Sequence, residues 1–138
     1  MPDKPLTSDI DHDLLGAVVA RFYERVRADE ALGALFEGAV EDWPAHLATL
    51  TDFWSSVLLT SGRYKGNPMA AHFKHRDRIT PALFDRWLAL WAETTTECAP
   101  AAVAALMQAK AARIAESLKL ALFFNPATRA SGRPGAPA

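Results

Sequence analysis

The sequence predicts an all-α domain, and three observations carry that prediction. Apolar residues recur at three- and four-residue intervals along every long stretch, which is the period of one helix face. Polar capping residues followed by a proline, at Asp42 with Pro44, Asn67-Pro68 and Thr80-Pro81, mark helix starts. No stretch alternates apolar and polar residues as a strand does, and no glycine-rich loop is built to cradle a phosphate.

In chain order, residues 1–7 hold two prolines and two charges and read as a flexible leader. Ser8 and Asp11 cap a first helix, in which Ile10, Leu14, Val18, Phe22 and Val26 recur every four residues over about five turns. An adjoining stripe of Leu15, Val19, Tyr23 and Val26 widens the buried face and puts Tyr23 inside. Leu32 to Phe36, ending at Gly38, suits one or two helical turns. Asp42 then opens a third helix that stops near Gly62, with His46, Leu50, Phe53 and Val57 on one face and Leu47, Trp54 and Leu58 on the next. The turn-rich run Ser61 to Pro68 leads into a brief helix reaching about His75, followed by charged residues to Arg78. Thr80-Pro81 opens a helix carrying Leu83, Phe84, Trp87, Leu88, Leu90 and Trp91, with so little polar surface that it belongs at the centre of the fold. Ala99-Pro100 breaks it. A last helix, striped by Val103, Leu106, Met107, Ile114, Leu118 and Leu122, ends at Asn125-Pro126. The domain thus spans 8–125, and 126–138, made of Gly, Pro, Ala and Ser with two arginines, reads as a disordered tail.

Composition narrows the functions open to such a domain. With 138 residues, half of them apolar, a single core is expected. A net charge of -1 with mixed signs offers no basic face for nucleic acid. Cys98 is the one cysteine, so no internal disulfide can form, and no signal segment or run of about 20 apolar residues is seen. These features predict a cytoplasmic protein that makes no membrane contact, and the short apolar stripes predict a monomer.

The residues that could carry chemistry are a histidine on the short helix, His72, and a tyrosine, a histidine and a tryptophan on three longer helices, Tyr23, His46 and Trp87. Iron in a porphyrin needs an imidazole on one side, and on the other apolar walls with few donors. On spacing alone His72 is equally an exposed or capping histidine, and His75, one turn further on, is its rival and otherwise a surface group. Tyr23 and His46 also have ordinary readings as core residues, and Trp54 and Trp91 read as core filler.

The order and spacing of several residues resemble the truncated haemoglobins, and within them the third group. They are Phe22-Tyr23, Leu32-Gly33 with Phe36, Trp43 with His46-Leu47, Phe53-Trp54, the loop Tyr64-x-Gly66-x-Pro68 leading to His72, and Phe84-x-x-Trp87-Leu88. The match runs from about residue 10 to 122. The resemblance implies a shortened globin fold, a two-over-two helical sandwich around noncovalently bound haem b (iron protoporphyrin IX). By it His72 is the proximal metal ligand and Tyr23, His46 and Trp87 form the distal side, while Phe22, Phe36, Leu50 and Phe53 pack on haem or its ligand. Haem propionates need partners at the pocket mouth, for which Arg76, Arg78 and Tyr64 are the candidates.

Tyr23 and Trp87 would donate to a diatomic ligand that accumulates negative charge, slowing its release and making a poor oxygen carrier. The function expected is therefore redox chemistry on bound ligand, such as nitric oxide or peroxide detoxification. With no flavin or nicotinamide motif, the electrons must come from an external donor or reductase. The alternatives are reversible storage or sensing of a diatomic ligand without turnover, and a haem-free helical interaction module. That last would call for a wide exposed apolar stripe, whereas the stripes here account for one closed core.

Overall fold

A computed structural model of the chain describes residues 10–123. The predicted leader, the Ser8 part of the first cap, the Asn125-Pro126 stop and the predicted tail lie outside the described residues. The elements are α1 (His12–Ala28), α2 (Glu30–Ala39), α3 (Trp43–Leu59), α4 (Pro68–Phe73), α5 (Pro81–Cys98) and α6 (Ala101–Phe123), with no strand among the described residues. None of these helices is long and apolar enough to cross a membrane.

One local device starts the first five helices. A side-chain oxygen accepts from the backbone N–H three residues on: Asp11 from Leu14 (2.7 Å), Asp29 from Leu32 (3.0 Å), Asp42 from Ala45 (3.1 Å), Asn67 from Ala70 (3.1 Å) and Thr80 from Leu83 (3.2 Å). Each such cap stabilises its helix by about 1 kcal/mol. Boundaries differ from expectation in three places. Helix α2 runs for 10 residues, because Asp29 both closes α1 through its backbone N–H and caps α2 with its side chain, and Gly38 lies inside the helix instead of ending it. Helix α3 stops at Leu59, where Thr60 turns into the left-handed region at φ 53°. Helix α4 ends at Phe73, and the chain continues to Arg78 through i→i+3 turns at His75, Arg76 and Arg78.

The helices form two pairs, α1 with α3 and α5 with α6, joined where α1 packs on α5. This is the two-over-two arrangement of the globin fold. Helix α5 is central, meeting α1, α2 and α6. Its Trp91, 1% exposed, lies between Trp54 (centroids 4.5 Å, planes 15° apart) and Trp87 (6.1 Å, 2°). Phe22 stands edge-on to Trp91 at 4.9 Å, and the Trp91 indole N–H donates to the Met107 carbonyl at 3.1 Å, so the ring's polar atom is satisfied inside the core. The buried apolar residues group into two clusters that share Leu88 and Ile114 as packing partners. One cluster centres on α1, α3 and α5, and a smaller one joins Ile79 and Phe84 to Ala115, Leu118 and Leu122 of α6. Residues of both line the cavity described below.

Gly33 sets how closely α2 folds back on α1. A Cβ built there would stand 2.7 Å from the Arg27 carbonyl oxygen and 3.3 Å from its carbon. Backbone atoms cannot swing aside as a side chain can, so α2 would have to move off α1. Alanine gains about 1 kcal/mol in helix propensity, whereas overpacking costs about 1–3 kcal/mol. We expect Gly33→Ala to lower the thermal midpoint, and a midpoint equal to or above that of the wild type would refute this account of the α1–α2 contact.

Candidate cofactor site

A cavity of about 400 Å³ opens among all six helices, with walls that are predominantly hydrocarbon. That volume is in the usual range for a small-molecule site, roughly 300–1,000 Å³. Of the residues singled out in the sequence, Tyr23, Phe36, His46, Leu50, Phe53, Tyr64, His72 and Trp87 line it. Three do not. Phe22 is fully buried behind Tyr23, since neighbouring positions on a helix face different sides. Arg76 folds back onto its own turn, donating to the Phe73 carbonyl at 2.9 Å with its guanidinium 5.3 Å from the Phe73 ring. Arg78 likewise stays off the cavity wall and reaches His75 instead.

The loop into α4 explains how His72 is presented. The Tyr64 N–H donates to Ser56 Oγ at 2.9 Å, and its ring stands edge-on to Phe53 at 5.2 Å. Gly66 lets the Tyr64 hydroxyl lie over the loop, because a Cβ there would meet that oxygen at 2.5 Å. Asn67 and Pro68 then start the helix, and His72 Nδ1 comes within 2.7 Å of the Pro68 carbonyl oxygen. A carbonyl only accepts, so Nδ1 carries the proton and Nε2 keeps its lone pair. Burial lowers the His72 pKa, and the Pro68 carbonyl opposes this while His75 adds to it. The ring is thus neutral near pH 7, as metal ligation requires.

Three other polar side chains share the cavity. Tyr23 is 5% exposed, and burial pushes its hydroxyl up to about 12, partly offset by the neighbouring Trp87 indole. Both side chains line the cavity, each with a donor of its own, the phenol O–H and the indole N–H. His46 is boxed by Trp43, Tyr23 and Phe36 at centroid distances of 5.5, 5.9 and 6.3 Å. Its Nε2 is buried without a hydrogen-bond partner, and burial lowers the pKa of the ring.

Such a donor set fits a flat, mostly apolar metal macrocycle. The hydrocarbon walls suit the ring, His72 Nε2 suits the metal, and His46 Nε2 is an unpartnered buried atom awaiting one. No group of three or more His, Cys, Asp or Glu side chains comes together among the described residues.

Lys74 and His75 also line the cavity; the sequence offered His75 only as a rival to His72 or a surface group, and Lys74 only as one of the charged residues before Arg78. One signal was available: His75 lies three residues beyond His72 and so shares its side of a helical turn. The wall from α6, with Ile114, Ala115 and Leu118, was read only as core because its pattern is that of any buried helix face.

No family model matches the chain. A group 3 truncated hemoglobin of Campylobacter jejuni is 33% identical over 89 residues, which are 62% of this chain and 69% of that protein. The crystal structure of a group III truncated hemoglobin from Campylobacter jejuni matches with a TM-score of 0.75 and 28% identity, covering 89% of this chain and 96% of that one. With its paired helices, its cavity and these relatives, the chain belongs to the group III truncated haemoglobins.

Proposed function

We propose that the cavity holds haem b with His72 as the protein ligand to iron, and that Tyr23, Trp87 and His46 serve redox chemistry on a small bound ligand. Nitric oxide or peroxide detoxification, with electrons from an external donor or reductase, is the reaction class this reading favours. Family membership implies a haem globin that binds diatomic ligands. The observation that carries the finer reading is the hydrogen bond from His72 Nδ1 to the Pro68 carbonyl, which leaves Nε2 as a lone-pair donor in the same cavity as Tyr23 and Trp87. When bound, the haem supplies a redox-active metal with a position for a diatomic ligand.

The chain's own contribution is a preorganised donor. Tyr23 and Trp87 both line the cavity, and their O–H and N–H can each donate to a ligand held there. Burial keeps that hydroxyl protonated throughout the physiological range. A hydrogen bond to a charged partner contributes about 1.5–3 kcal/mol, so one such donor slows ligand release by one to two orders of magnitude. The predominantly hydrocarbon walls offer few polar groups to compete with that bond.

The haem-free reading has little support, because Leu120 is the one exposed large hydrophobic among the described residues. That surface also supports a monomer.

Three outcomes test the proposal. His72→Ala should lose a five-coordinate histidine spectrum that His75→Ala keeps, and the opposite pattern would reassign the ligand. In Tyr23→Phe the oxygen dissociation rate should rise by about one to two orders of magnitude, with a smaller rise in Trp87→Phe. In stopped flow, oxygenated wild type with a reductase should consume nitric oxide repeatedly; a single turnover with no acceleration by reductase would favour storage or sensing.

Alkaline pH probes Tyr23 directly. Its neutral form is favoured in the folded state, so that stability is whole below the unfolded value near 10 and is lost as pH rises towards about 12. The loss should amount to about 2–3 kcal/mol. Melting curves between those limits should show it in the wild type and not in Tyr23→Phe, and parallel curves would refute the assignment.

A further inference from the structure

His72 and His75 both line the cavity, yet their Nδ1 atoms meet partners of opposite kind. The Pro68 carbonyl, 2.7 Å from His72 Nδ1, can only accept. Arg78 Nη2, 3.2 Å from His75 Nδ1, can only donate. The neutral His72 ring therefore carries its proton on Nδ1 and the neutral His75 ring on Nε2. A ring nitrogen bearing a proton has no lone pair for a metal and is a hydrogen-bond donor to a carboxylate.

Arg78 reaches this position through a notch in α2. Its Nη1 lies 2.8 Å from the point a Cβ on Gly38 would occupy, over the last turn of that helix. The carbonyl end of a helix favours a cation, which helps hold the guanidinium there.

We propose that Arg78 is a positioning residue that holds His75 as a hydrogen-bond donor to a carboxylate of the bound cofactor and bars it from competing with His72 for iron. The inference rests on the haem reading above and extends it. One arginine thereby gives two neighbouring imidazoles different tasks. Lys74, also on the cavity wall, would add positive charge for such a carboxylate.

Haem loss from the ferric protein to an excess of a haem-scavenging apoprotein tests this, read in the wild type, His75→Ala, Arg78→Leu, Gly38→Ala and the His75→Ala/Arg78→Leu double variant. Each single variant should lose haem about tenfold faster, as removal of one hydrogen bond to a charged group predicts. The double variant should be no faster than His75→Ala, because Arg78 acts through His75. In Gly38→Ala the new methyl meets only the movable end of the arginine, and alanine is the better helix former, so haem loss should quicken while the apoprotein midpoint does not fall. Imidazole nitrogen shifts of the apoprotein should place the His75 proton on Nε2 in the wild type and spread it over both nitrogens in Arg78→Leu. Wild-type haem loss in His75→Ala, or single effects that multiply in the double variant, would overturn the proposal. If the His72-dependent spectrum is intact when that happens, only this inference fails; if the wild type shows no such spectrum, the haem reading fails and this inference with it.

Discussion

The hydrogen bond between His72 Nδ1 and the Pro68 carbonyl is the contact on which the site depends, and it is held by a helix too short to stand alone. Helix α4 has 6 residues, and an isolated helix needs roughly twice that length to be even marginal in water. Its stability comes from outside its own ladder. Asn67 caps it, Pro68 presets its first turn, and Met69 and Phe73 pack against the smaller apolar cluster with Phe84 and α6. The His72 ring lies nearly parallel to Phe84, 6.3 Å away and 19° off, so the same packing that anchors the helix orients the imidazole. A shift of α4 would change ring direction and tautomer together.

The cavity lies between two apolar clusters that meet at Leu88 and Ile114. A protein interior normally closes to near crystal density, and a void lined by unsatisfied contacts costs stability. Here the Trp54–Trp91–Trp87 stack makes one rigid wall and the Ile79–Phe84–Leu118 cluster another, with α4 and α6 bridging the gap. Two glycines in α2 set the fit of that helix in opposite ways. Gly33 faces the backbone of α1 and admits no methyl, whereas Gly38 faces the movable end of Arg78. The same chemical change is therefore a packing fault at one position and a change of side-chain placement at the other.

Helix starts were legible because capping is local: Asp42, Asn67 and Thr80 each accept from the residue three ahead, as their sequence context requires. The central place of α5 followed from its near-continuous apolar surface. The length of α2 was hidden because Asp29 ends one helix and begins the next, and Gly38 looked like a stop where it is only a space for Arg78. Most of the side chains expected at the site do line the cavity, since the stripes carrying Tyr23, His46, Leu50, Phe53 and Trp87 point inward. The choice among Lys74, His75, Arg76 and Arg78 was not. It is made by successive i→i+3 turns that rotate each residue to a new direction, and a basic run broken only by Asp77 gives no apolar periodicity from which to read that rotation.

The pairing of Tyr23 and Trp87 in one cavity bears most directly on what the pocket can do. One carries a phenol O–H and the other an indole N–H, so each would form its own bond to a ligand. Burial that raises the Tyr23 pKa resists loss of the phenol proton, which suits a fixed hydrogen-bond donor more than a general acid. His46 adds a third group: its Nε2 is buried without a partner, and burial holds its ring below the usual imidazole range, so it would meet a ligand as a neutral imidazole. A ligand held by such groups would be released slowly, which suits chemistry on a held ligand more than its carriage.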